Sequence, residues 1–547
     1  MKSDTRKRSA SVALVVAAIL ALLAPAAAWA EEIPWGGSTS LPDYIGAPAK
    51  AHPIANSGVP QNPLLAPNGF NSCHLDPWMS DTADIAGPLG YNPVVLSSTF
   101  AEARIDPLPD PNDAPPWIFL CITPMFDSHG RLITACFAPH EATAVLADPD
   151  TLQVLSYYRL EVPPGTPYKG TGRQVLMRSS GASYSFLNGN DQLTIVSGGK
   201  KIVTLVEAGS AESPVLELPE GNTYDLKDVI LGDNDLAGVM VDWQGRIWFT
   251  TVGTDKDPAM VGVLNPATYS DEDPNVKWVV FPMGEFIRNT FAVTKAGVDR
   301  ASAYVVTSLN MYRIDAGPDD QPQVMWKEPY DTSGTTKDGQ YELGSGTSPT
   351  VLGEGKYVAI TDNGTPEHPT WMKVVVFRTD ARLDPNEERK VCQVPVFEDQ
   401  PGAALSNSLI GSRLSLIATN NYNYLWDWQN GRTVYPSAPG AERIDINPNG
   451  KGCTKVWANS GVATTTSPRL STKAGLIYTV AREKDEQTNV YVYYWVALDF
   501  RTGKTVWKKM AGTGDKCDSF YPALAIGPNR ALYVGAYGGF MTIRDTR

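Results

Sequence analysis

Beyond Pro116 the chain repeats one hydropathy motif eight times: a polar or glycine turn running into a short, strongly apolar strand. The copies lie at 131–136, 192–196, 246–250, 302–306, 356–360, 413–417, 475–479 and 530–534, roughly 55 to 60 residues apart. Amphipathic helical periodicity is missing throughout, which excludes a solenoid of helical repeats. A fixed period of this length, with several short strands in each unit, predicts an all-β fold, an eight-bladed β-propeller. Seven blades is the alternative, if the weak unit around 183–217 is irregular structure.

The eighth unit shows only three strands, over 521–526, 531–534 and 540–544. A fourth is expected from 93–98, which begins with Pro93, Val94, Val95 and Leu96. Pairing the two ends of the chain in this way removes exposed sheet edges. Residues 31–92 are rich in Pro, Gly, Ser and Asn and only weakly periodic. They read as an irregular N-terminal arm preceding a single propeller over 93–547.

The stretch 496–507 reads as strand, tight turn, strand. Asp499 is placed to accept hydrogen bonds from turn backbone, Gly503 supplies a positive φ, and Trp507 offers a flat surface for a neighbouring layer. The spacing of Ala497, Asp499, Thr502, Gly503, Lys504 and Trp507 resembles the tryptophan-docking motif of the quinoprotein (PQQ-repeat) β-propellers, in which the Trp of one blade stacks on the next. The resemblance implies architecture. Trp278, Trp326 and Trp457 stand in matching contexts, and 312–315 leading to Trp326 reads as a stretched copy. The other copies are degenerate, so an incomplete docking layer is expected. The alcohol dehydrogenases of that family often carry a vicinal disulfide against the quinone, and no adjacent Cys pair exists here. A haem-attachment CxxCH is also absent, and neither the calcium ligands nor the catalytic Asp of that family can be placed by motif. PQQ is therefore not expected.

Charge and cysteines change the picture next. Residues 1–30 have a basic start (Lys2, Arg6, Lys7, Arg8), an apolar core over 11–24 and a small-x-small site at Ala28, Trp29 and Ala30, the pattern of a signal peptide. The expectation is an exported protein, periplasmic or secreted, with no transmembrane anchor after cleavage. The leader's four bases outnumber Asp4 by three, so the mature chain carries about −16 against −13 for the whole. That balance disfavours nucleic acid as a partner. Gly 47, Pro 43 and 10% aromatics suit a turn-rich β chain. Six cysteines without a CxxC favour disulfides over zinc. The expected pairs are Cys121–Cys136 in one hairpin, Cys392–Cys453 between adjacent blades and Cys73–Cys517 at the seam.

Candidate chemistry follows from the ring. Turns between first and second strands lie on one face; loops after the second strand, and connections between blades, lie on the other. Asp127 and Asp242 sit in the first kind of turn, with Gly130 and Gly245, and read as turn-formers; His129 falls at an exposed turn position. The opposite face collects His140 and Glu141, Asn310, the polar loop 361–371 with Asp362, Asn363, Glu367 and His368, the amide- and aromatic-rich 420–427 with Asn420, Asn421 and Tyr422, then Arg482 and Tyr537. The starts of inner strands repeat small hydroxyls at Ser348 and Ser467, with Tyr521 before Pro522, and Asn407 and Thr290 in similar places. His74, beside Cys73 in the arm, reads either as a capped residue or as part of a lid over the mouth.

These positions suggest a small-molecule site at the axis. His140, His368 and Arg482 are the candidate catalytic groups. Asp362, Asn363 and Glu367 carry oxygens of the type that hold Ca2+ or another divalent ion, which would polarise a carbonyl or activate water. The reading leans to a hydrolase, lactonase or lyase. A quinoprotein-like oxidoreductase and a non-catalytic ligand-binding or assembly propeller are the alternatives. A Ser-His-Asp hydrolase is disfavoured, because no Gly-x-Ser-x-Gly stands in a strand–helix context.

Overall fold

The computed structural model describes residues 37–104, 119–138, 141–163, 180–427, 432–433 and 437–546. The signal-peptide reading of 1–30 and the His140 assignment lie outside them. Eight antiparallel sheets form eight blades. Their second strands are Leu132–Ala138, Leu193–Ser197, Ile247–Thr251, Ala301–Val306, Tyr357–Thr361, Ser415–Thr419, Leu476–Asp485 and Leu532–Ala536, one for each copy of the sequence motif. The blades are numbered 1 to 8 in that order.

The hydropathy pattern follows from position in a blade. Second strands are covered on both faces by neighbouring blades, so Leu193–Ser197 and Ile247–Thr251 are buried at every residue. Outer strands have one face in water and alternate, as Ser213–Glu217 does in blade 2. Blade 2 is a blade after all, and its long third strand Lys201–Ser210 carries two short outer partners, Ser213–Glu217 and Thr223–Asp225. Its weak sequence signal comes from that split outer strand.

Blade 8 takes its outer strand from the other end of the chain. Pro93–Ser98 pairs antiparallel with Gly539–Asp545 along its full length. Disulfides join Cys121 to Cys136 within blade 1 and Cys392 to Cys453 between the outer strands of blades 5 and 6. The expected Cys73–Cys517 bridge is absent. Cys73 is buried in the arm, whereas the Cys517 thiol turns back toward the Thr513 carbonyl, 3.8 Å away. Hydrogen bonds between strands close the seam instead.

Three tryptophans share one register position, and two of them dock on the next blade. Trp326 lies opposite Arg313, Trp457 opposite Arg443 and Trp507 opposite Ala497, each beside a register shift. The Trp326 and Arg313 side chains both donate to the Thr379 carbonyl of blade 5, at 3.3 and 2.6 Å. Trp457 and Arg443 do the same to Phe500 of blade 7, at 2.9 and 3.2 Å. Trp507 is fully buried but packs beneath the arm, where Gly90 leaves room for its indole. Trp278 remains 44% exposed and docks on nothing comparable.

The arm is the least expected element. Residues 71–83 are all buried. They run around the axis and present backbone carbonyls to the inner strands in order. Phe70 accepts from Phe126 of blade 1, Asn71 from Leu187 of blade 2 and Pro77 from Val293 of blade 4. Trp78 accepts from Val351 of blade 5, Ser80 from Gly411 of blade 6, and Asp81 and Ala83 from Leu470 and Thr472 of blade 7. Nearby arm residues bridge the turns between first and second strands, as Leu65 does with Asn188. The arm therefore plugs the axis from that end. It does not lid the opposite mouth.

Candidate functional site

The plug turns the axial channel into a blind cavity of about 120 Å³. Its floor is Cys73 and His74, and its walls are the starts of inner strands and the connections before them. Tyr341, Glu342, Phe520 and Tyr521 also line it. Inner strands converge here, so only small side chains fit their first positions. Ser348, Ser408 and Ser467 each stand two residues before the inner strand of blades 5, 6 and 7.

His74 is held from below. Its Nδ1 lies 2.9 Å from Asp81 Oδ1. The same oxygen takes an ion pair from Arg469 Nη1 at 2.9 Å, and Arg469 Nη2 donates to the Cys73 carbonyl at 2.5 Å. All three side chains are buried. With Nδ1–H directed at a carboxylate, Nε2 carries the lone pair. Ser348 Oγ is 3.1 Å from Nε2 and Ser408 Oγ is 3.3 Å away. Hydroxyl, imidazole and carboxylate thus stand in line at the cavity floor. Burial pushes the Cys73 thiol up to about 11, which leaves it protonated at neutral pH. Asp76, fully buried behind the floor, is pushed up to about 7 by desolvation, although Ser80 Oγ and two backbone N–H groups bond to it.

Three residues of the lining, Ser183, Asn407 and Ser467, each have one buried polar atom without a hydrogen-bond partner among the described residues. Buried polar groups are rarely left so.

Of the residues singled out from sequence, His74, Ser348, Asn407, Ser467 and Tyr521 line this cavity. Tyr521 also donates to the Gly339 and Tyr424 carbonyls. Arg482 is buried away from it, 3.7 Å from Asp518 and stacked over Tyr424 and Tyr491. Tyr537 is buried against Phe520. Asn420 spends its amide on Gly402, Ala404 and Tyr422 backbone, and Asn421 donates to Thr464. Half-buried Tyr422 packs on Gly402, whose missing β-carbon makes room for the ring. Asn310 donates to Glu285, and Glu141 pairs with Arg159 inside blade 1.

The polar loop of blade 5 also differs from expectation. Asp362 and Asn363 are fully buried, whereas Glu367 and His368 are exposed. Asp362 accepts from the Gly364 and Lys373 backbone, and burial raises it to about 6. Asn363 donates to the Thr335 and Leu343 carbonyls. His368 stacks on Trp371 with centroids 3.7 Å apart. Two of these four residues are buried and two exposed, so they do not face the axis together. Among the described residues, the carboxylate–histidine grouping compact enough for a metal ion is Asp127, His129 and Glu207. It sits on the turn face, and the Arg131 guanidinium already bridges Asp127 and Glu207.

Sequence reasoning missed Asp81, Ser408 and the role of His74. The signal for Ser408 was present, since Asn407 and Ser408 repeat the placement of Thr347 and Ser348.

Comparison with known proteins adds the fold alone. No family model matches the chain. A protein of Archaeoglobus fulgidus, itself uncharacterised, is 24% identical over 348 residues, covering 58% of this chain and 62% of that protein. The match thus spans less than two thirds of the relative. Quinohemoprotein alcohol dehydrogenase from Comamonas testosteroni superposes with a TM-score of 0.47 at 9% identity, covering 88% of this chain and 82% of that one. The quinohemoprotein alcohol dehydrogenase ADHIIG from Pseudomonas putida gives 0.41 at 11%, covering 86% and 76%. The eight blades themselves stand on the strand pairing of this chain.

Proposed function

We propose that this chain is an exported propeller whose axial cavity binds a small polar molecule and hydrolyses it. The observation that carries the reading is a blind axial cavity floored by His74, whose Nε2 has the Ser348 and Ser408 hydroxyls at 3.1 and 3.3 Å. At about 120 Å³ the space is far below that of a typical drug-sized pocket. The leader-like residues 1–30 and the two disulfides support export. A divalent ion on the loop of Asp362 and Asn363 has less support, because both are buried whereas Glu367, the third candidate ligand, is exposed.

The test is acid release from short-chain esters and lactones by the mature protein, followed in a pH-stat, beside a Ser467→Phe variant that fills the cavity. Turnover by the wild type, lost in a variant that still melts cooperatively, supports the reading. Equal turnover by both places the chemistry elsewhere. Binding without turnover leaves a ligand-binding propeller.

A further inference from the structure

We infer that Ser348 is a nucleophile that forms a covalent acyl intermediate, with His74 as its general base and Asp81 as the positioning carboxylate. The inference rests on the axial cavity being the active site and deepens that reading by naming the reaction and the substrate class. The class is carboxylic esters and lactones with a short acyl part, since the space above Ser348 is small.

The geometry supplies the nucleophile, base and orienting carboxylate of acyl transfer. The nucleophile and base are 3.1 Å apart, and the base and its orienting carboxylate 2.9 Å apart. Asp81 fixes the imidazole tautomer, so Nε2 is the atom free to take a proton. Arg469 holds Asp81 in turn and is tied to the Cys73 carbonyl, so the orienting group cannot swing away. Nε2 has one lone pair and two serines within reach. When Ser348 donates to it, the Ser408 O–H, 3.3 Å from the same nitrogen, is left to donate elsewhere. Its natural acceptor is the oxyanion that develops beside Ser348. Nothing in the sequence marks this array, because the serine leads an inner strand of a propeller and the histidine comes from a plug 274 residues away.

The steps balance without a co-reactant other than water. Ser348 Oγ attacks the carbonyl carbon and its proton passes to His74 Nε2. The acyl C–O bond breaks, and the leaving alkoxide takes that proton; in a lactone it stays attached to the acyl chain. Water then loses a proton to Nε2 and attacks the acyl carbon. The bond to Oγ breaks, Oγ recovers the proton, and the carboxylic acid leaves.

The experiment uses diisopropyl fluorophosphate on the mature, disulfide-bonded protein. Adducts are read by intact mass and peptide mapping, with turnover of p-nitrophenyl acetate measured in parallel. The wild type is expected to take one phosphoryl group on Ser348 and to lose turnover in step. Ser348→Ala should take none there and turn over roughly a thousand-fold more slowly, and Ser408→Ala should still label at Ser348. His74→Gln should lose labelling while retaining the wild-type melting profile. Turnover in a wild type that never labels would overturn the nucleophile but spare the cavity reading. Neither labelling nor turnover would overturn both. An adduct on Ser408 or on a surface residue alone would overturn the assignment of Ser348.

Discussion

The Trp457 indole lies directly over Gly503, so close that a β-carbon there would fall 2.4 Å from the ring. Blade 6 therefore docks on the hairpin turn of blade 7 through the one residue type that leaves the turn flat. Gly503 also has φ 69°, a conformation costly to other residues. Gly503→Ala is expected to cost about 2 kcal/mol or more, from the turn and the displaced indole together. A denaturant titration against the wild type measures it. An unchanged midpoint would mean that blades 6 and 7 are not held by this contact.

The two disulfides close loops of 15 and 61 residues. Chain entropy assigns them about 3 and about 4 kcal/mol respectively. Reduction is expected to lower the unfolding midpoint, and Cys392→Ser with Cys453→Ser should account for the larger share, because that bridge ties two blades. Cys517→Ser should leave the midpoint nearly unmoved. If reduction does nothing, strand pairing alone holds blades 5 and 6 together.

Asp76 makes stability depend on pH. Its carboxyl is pushed up to about 7 by burial, against an ordinary value of 3.8. Between those values the folded chain holds a proton that the unfolded chain has released. The contribution is therefore full below about pH 4 and is lost as pH rises through about 7. The slope approaches about 1.4 kcal/mol per pH unit for one proton. Asp76→Asn cannot titrate, so its stability relative to wild type should rise across this window. Parallel stability curves would show that Asp76 is ionised in the folded protein.

Two substitutions separate the cavity from the polar loop of blade 5. Asp81→Asn should favour the wrong tautomer of His74, lowering ester turnover by about 10⁴-fold, and should also cost about 3–5 kcal/mol of stability, because buried Arg469 loses its partner. His368→Ala should leave turnover as it was, because His368 stacks on half-exposed Trp371 rather than lining the axis. Kinetics on p-nitrophenyl acetate decide both. The reverse pattern would return the chemistry to the loop.

The ring was legible because burial on both faces leaves a local mark. Ile247–Thr251 and its counterparts must be apolar at every position, and that run recurs once per blade. Cys121 and Cys136 could be paired because one hairpin holds them, and Pro93–Ser98 because blade 8 lacked a strand. The plug left no such mark. Residues 70–83 bond through backbone carbonyls, which every residue has, to partners between 56 and 389 positions away. Cys73 was assigned to the seam because it and Cys517 lie toward the two ends of the chain, yet its place is the axis. His74 and Asp81 could not be joined to Ser348 until the arm was placed. His368 and Asp362 drew attention by residue type, but the fold buries Asp362 and leaves His368 exposed.

The arm that seals the axis also fixes how many blades the ring can have. Its carbonyls meet blades 1, 2, 4, 5, 6 and 7 in succession. Propellers change size by duplicating or losing a blade, and such a change here would throw every later carbonyl out of step. Each one stranded in the interior would cost about 1–3 kcal/mol. The N-terminal segment thus acts as a tally of the repeats that follow it, and a copy-number error would be penalised at the centre of the molecule rather than at its rim.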